Sequence, residues 1–189
     1  HLVATNTFRP PIAHLSRPGG ENLLFWDAKG DLARGAWKLR GGHRTWVGRP
    51  GADEAEETYA PDNLAVEVST AADGFTLTGP RDPNTVTRKG FSVRVEADDR
   101  LAIEHFVSND SDMLFSGFLW ALTCTKPTAS TRYLAPLGDG STWDTLTMVH
   151  FRKWTTHGQG HFEDDQFKVG RELLELQPKG KETKRMFRV

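Results

Sequence analysis

Six consecutive residues, Gly41-Gly42-His43-Arg44-Thr45-Trp46, set an imidazole, a guanidinium and an indole directly behind two glycines. An imidazole gives or takes a proton near neutral pH without a large pKa shift. A guanidinium fork holds two oxygens at once. An indole packs against the C–H face of a pyranose much as apolar surface does. The paired glycines let the backbone bend or pass close to a ligand. This mixture suits a sugar better than a phosphate or a nucleic acid. Downstream, Thr58-Tyr59-Ala60-Pro61-Asp62-Asn63 adds a carboxylate and a carboxamide.

His43 is the first acid–base candidate of this stretch. Neighbours on an extended chain face opposite ways, so only one of His43 and Arg44 faces a pocket. Arg44 is the first choice for a sugar contact, with Trp46, Asp62 and Asn63 beside it. The alternative is structural: Arg44 pairs with a loop acid such as Asp62, and His43 packs in the core. Trp46 and Trp120 are likewise either stacking platforms or core, Trp120 lying close to Leu119 and Leu122. Trp143 and Trp154 sit in more polar sequence and could line a cleft.

A second set follows at Asp144, His150 and Arg152, whose even spacing puts them on one face of an extended strand. Asp144 and His150 are further acid–base candidates, and Arg152 is a further sugar contact. His157 and His161 lie four apart, which on a helix would suggest a zinc pair. Gly158 and Gly160 disfavour a helix there, so a polar loop or hairpin tip is expected, and neither a metal nor another cofactor. Nucleophilic catalysis is poorly served: no Gly-x-Ser-x-Gly elbow occurs, and Cys124 reads as a small core residue in an apolar strand. Gly138-Asp139-Gly140-Ser141 reads as a turn rather than a phosphate loop, because no lysine follows it.

These side chains need a rigid frame. The chain has 189 residues, 37% hydrophobic and 26% charged, enough for one well-formed core and an ordinary globular protein. Lys and Arg total 24 against 25 for Asp and Glu, so no polyanionic partner is favoured and no nucleic acid is expected. The basic run Lys179–Arg188 is broken by Glu182 and reads as a solvated strand face or turn. No apolar run nears the roughly 18 residues that span a bilayer, so no membrane is expected. The first residue is His1, which leaves the compartment open between bacterial cytoplasm and periplasm.

Period-two alternation marks Leu64–Val68, Gly74–Thr78, Phe91–Val95 and Leu101–Val107 as strands with one buried face. Ala72-Asp73-Gly74 and Asp98-Asp99 read as hairpin connectors. Arg171–Leu176 reads as a strand or a single turn, because Pro178 and Gly180 end it at once. Residues 49–61 and 79–84 read as loops. The expectation is one all-β domain over residues 1–189, an antiparallel sandwich of two packed sheets.

The ordered series of motifs resembles the galactose mutarotase-like superfamily. Within it, the chain is similar to aldose-epimerase-like proteins of unknown function with a Gly-Gly-His-Arg-x-Trp signature. The resemblance rests on Glu21-Asn22-Leu23-Leu24, Gly41–Trp46, Tyr59–Asn63 and His105-Phe106-Val107-Ser108-Asn109. It continues through Leu119–Thr123, Tyr133–Leu137 and Phe167-Lys168-Val169-Gly170. It implies a supersandwich fold, incomplete at the C-terminus, with a saccharide on its concave face. It also implies two departures from the active epimerases. The acid of their His-x-Tyr-Phe element is replaced here by the indole of Trp120, and their general-base glutamate would fall beyond Val189. The expected function is therefore saccharide binding. The alternative is an active aldose 1-epimerase, or related carbohydrate enzyme, using histidine and Asp or Glu.

Overall fold

A computed structural model describes residues 1–6, 12–34, 37–48, 64–97, 100–137, 147–150, 164–181 and 185–188. Fifteen strands and no helix occur among the described residues. They are β1 (Leu2–Ala4), β2 (Ile12–Leu15), β3 (Ala33–Arg34), β4 (Trp37–Lys38), β5 (His43–Gly48), β6 (Glu67–Ala71), β7 (Gly74–Thr78) and β8 (Thr87–Val95). The rest are β9 (Leu101–Asn109), β10 (Phe118–Thr123), β11 (Tyr133–Pro136), β12 (Thr147–His150), β13 (Phe167–Val169), β14 (Leu173–Leu176) and β15 (Arg185–Arg188). The chain divides into two compact units, His1–Lys126 and Pro127–Val189.

The first unit holds two four-stranded antiparallel sheets, in the orders β1-β2-β5-β10 and β6-β7-β8-β9. The second of these is a meander, because each apolar run is followed by a turn short enough to return the chain beside itself. Its register aligns Leu77 with Phe91 and Phe91 with His105, and aligns Phe75 with Val93 and Val93 with Ile103. Alternation then puts all of these on one face. Phe91, Val93 and Leu77 bury against Ile12 and Leu24 from the other half of the unit, making one core between the sheets. Those apolar contacts, non-directional and proportional to area, hold the sheets face to face.

β7 keeps the bounds expected from alternation, while β8 and β9 run longer than expected. The first strand of the meander is shifted: pairing begins at Glu67 rather than at Leu64, and all five residues of β6 are exposed. Val66, just outside it, packs on the core. As the meander's outer strand, β6 owes its place to ladder hydrogen bonds rather than to a buried face. The loop at residues 79–84 closes on Asp82, whose carboxylate accepts the backbone N–H of Asn84 at 2.9 Å. Val86, just beyond, is held at φ 56° with its N–H on the Asp82 carbonyl.

The second unit contains a three-stranded sheet, β11-β14-β13, and a β12-β15 pair. The ambiguous segment at 171–176 is a strand there, β14, central in its sheet. Gln166 is buried and cross-ties this unit: its side-chain oxygen Oε1 accepts the Lys179 backbone N–H at 2.7 Å, and its side-chain Nε2–H donates to the Lys181 backbone carbonyl at 3.2 Å. Asp165 sits between the ammonium groups of Lys179 and Lys181, at 2.9 and 2.8 Å. The Lys181 hydrogen bond, then that of Lys179, holds its carboxyl down at about 2.

Candidate functional site

The two glycines do backbone work. Gly41 and Gly42 both take left-handed conformations, with φ of 83° and 72°. A β-carbon on Gly41 would lie 2.4 Å from the Phe25 carbonyl oxygen. The same carbonyl accepts the Gly42 N–H at 2.7 Å, and the Gly42 carbonyl accepts the Cys124 N–H at 2.8 Å. This knot turns the chain into β5 and aligns it with β10. The register then pairs His43 with Thr123, Arg44 with Leu122, Thr45 with Ala121, Trp46 with Trp120 and Gly48 with Phe118.

The pleat distributes the signature over two faces. Arg44, Trp46, Trp120 and Phe118 share the outer one. Here the guanidinium carbon of Arg44 lies 4.8 Å from the centroid of the Trp46 ring. Trp46 meets Trp120 edge to face, with centroids 5.5 Å apart. A cation over an indole and an edge-to-face aromatic pair each add about 0.5–1.5 kcal/mol beyond simple burial. Arg44 and Trp46 are buried at 7% and 4% exposure, while Phe118, its ring over Gly48, is 61% exposed. Arg44 also donates to the Gly41 carbonyl at 3.3 Å.

The inner face carries His43 and Thr45, which look across at His105 on β9. The Nε2 atoms of His43 and His105 are 3.0 Å apart. His43 Nδ1 meets the Thr123 hydroxyl at 2.8 Å, and His105 Nδ1 meets the Thr45 hydroxyl. The Phe91 ring stands edge-on to His105, centroids 5.8 Å apart. Thr45 is buried, whereas Thr123 and Ala121 are exposed, so the group opens at its Thr123 end. β10 and β9 are the outer strands of their sheets, which places the opening along one edge of the inter-sheet layer.

A neutral imidazole has one N–H and one lone pair. With both rings neutral, the Nε2 contact therefore has one donor and one acceptor, and the two Nδ1 atoms must play opposite parts toward their threonines. Burial lowers the pKa of both rings, and the nearby charge of His105 lowers that of His43 further. Both shifts favour the neutral rings, whose lone pairs can accept a proton.

Of the expected site residues, His43 thus stands apart from Arg44, Trp46 and Trp120, which cluster with one another. Asp62, Asn63, Asp144 and Arg152 lie outside the described residues, as do Trp143, Trp154, His157 and His161. His150 ends β12, paired with Arg185, and only its backbone is described. Cys124 is half-buried rather than core, because it sits just past β10. His105 carries no sequence motif that marks a chemical role, although alternation over Leu101–Val107 places it on the apolar face with Leu101 and Ile103. A basic ring at a core-facing position was the available signal. Among the described residues, no group of three or more His, Cys, Asp or Glu gathers as a metal site. No helix among them is long and apolar enough to cross a membrane. No family model, curated protein or solved structure matches the chain.

Proposed function

We propose that the chain is a carbohydrate-binding protein of the galactose mutarotase-like, aldose-epimerase-like type. It takes a saccharide on the aromatic face of the β1-β2-β5-β10 sheet. One observation carries this reading: the Arg44–Trp46–Trp120 stack shares its sheet face with an exposed Phe118 ring. The buried part of the stack fixes the orientation of Trp120, and Trp120 and Phe118 offer flat apolar surface for the C–H face of a pyranose. Asp62 and Asn63 would supply hydroxyl contacts from the segment after β5. Rings fixed before binding lose little side-chain entropy on binding. A panel of mono- and oligosaccharides titrated by NMR is expected to give saturable shifts at Trp120 and Phe118. Phe118→Ala should weaken affinity about tenfold, a loss of about 1.4 kcal/mol. Absence of saturable binding across the panel would overturn the reading.

A second reading, an aldose 1-epimerase-like activity, is favoured by the paired imidazoles on the opposite face. Mutarotation needs proton transfer at the anomeric hydroxyl and at the ring oxygen. His43 reaches an exposed edge where a hydroxyl could replace that of Thr123. NMR of freshly dissolved α-aldoses tests it. Anomer exchange above the buffer rate, lost in His43→Gln, establishes the enzyme, and exchange equal to buffer removes it.

A further inference from the structure

We infer that His43 and His105 act as one proton-sharing dyad, an acid–base site for a hydroxyl-bearing ligand that enters beside Thr123. The inference rests on the second reading only for the ligand being an aldose. The geometry supports it in three ways. The two Nε2 atoms face each other at 3.0 Å across the gap between sheets, so a proton on one lies on the line to the other. Each Nδ1 has a hydroxyl partner, Thr123 or Thr45, that can either donate or accept, so both tautomeric arrangements are satisfied. One end is exposed and the other is buried, which gives the relay a direction: ligand at Thr123 and His43, reserve at His105 and Thr45.

The ligand O–H gives its proton to Nδ1 of His43, and the oxygen keeps the bonding pair. The Nε2–H of His43 passes to Nε2 of His105. His105 becomes an imidazolium whose Nδ1–H is accepted by the Thr45 oxygen. For an aldose, the pair left on the anomeric oxygen forms the carbonyl as the ring C–O bond breaks. The ring oxygen takes a proton from water, and the dyad releases its own to the resulting hydroxide. His43 is the residue that meets the ligand, and His105 is the positioning and reserve residue.

Among the described residues, few other groups face the dyad. From β8 come the edge of Phe91 and, two residues earlier on the same face, buried Lys89, the charged side chain there. From β9, Glu104 alternates to the outer face. From β5 and β10 come Thr45, Thr123 and Ala121, which do not titrate, and from β2 comes Ile12, paired with His43.

Imidazole 15N NMR on the full chain, followed through a pH titration, tests the dyad directly. Wild type should show both rings shifting together in two separated steps, as expected for coupled sites. In His105→Gln, His43 should titrate in a single step. Thr123→Val, at an exposed position that does not threaten folding, should move the His43 Nδ1 resonance and, through the shared proton, that of His105. Independent single-step curves, or a Thr123→Val effect confined to His43, would overturn the dyad. Aldose exchange separates the two ideas. His43→Gln should lose about a hundredfold in rate, while His105→Gln should change the pH profile of the rate and leave sugar affinity unchanged. Coupled titration with no exchange in wild type overturns the aldose, not the dyad.

Discussion

At the scale of single residues, two consequences follow from the β5 signature. His43 and His105 have folded pKa values below the ordinary 6.5, because burial disfavours their charged forms. The unfolded chain therefore binds more protons just below pH 6.5, and stability rises with pH in that window. Their contribution is complete above the unfolded pKa and is lost as pH falls. Urea midpoints should drop between about pH 7.5 and about pH 5, and the double variant His43→Gln/His105→Gln should flatten that difference. Gly41 carries the second consequence. At φ 83°, with the Phe25 carbonyl 2.4 Å from a prospective β-carbon, Gly41→Ala combines left-handed strain with a clash against backbone. A loss of about 1–3 kcal/mol in urea unfolding is expected. A smaller effect would show that the knot at Phe25 yields easily.

Among the elements, β5 and β8 matter most, and for different reasons. β8 is central in the meander and supplies Phe91, fully buried against residues of both sheets. Phe91→Ala should cost about 3–5 kcal/mol, through lost transfer energy and the cavity left behind. Phe118→Ala, at the exposed end of β10, should cost well under 1 kcal/mol by the same measurement. That contrast lets Phe118 serve as a binding probe without a folding penalty. β5 divides its residues by parity, so its two candidate chemistries cannot act on one pyranose at once. Stacking belongs to Trp120 and Phe118 on one face, and proton transfer to His43 on the other.

For the molecule as a whole, the division at Lys126 has a measurable counterpart. The core formed by Ile12, Leu24, Leu77, Phe91 and Val93 lies entirely within His1–Lys126, as do both four-stranded sheets and the histidine pair. Residues 1–126 expressed alone should unfold cooperatively in urea and retain coupled His43 and His105 resonances. Non-cooperative unfolding of that fragment would show that its sheets depend on Pro127–Val189.

Much of the frame could be read from the chain alone, because the side-chain period of a strand is two and apolar alternation reports it directly. β7 falls where alternation predicted, β8 and β9 contain the runs it marked, and the paired glycines marked the turn into β5. The separation of His43 from Arg44 also follows from parity. Tertiary structure was needed for everything that depends on two strands distant in sequence. His105 lies 62 residues from His43, and only the stacking of one sheet on another brings their rings together. The burial of Arg44 over Trp46 likewise depends on Trp120, Leu122 and Leu39 closing around it. Alternation tells which way a side chain points, and packing between sheets decides what it meets.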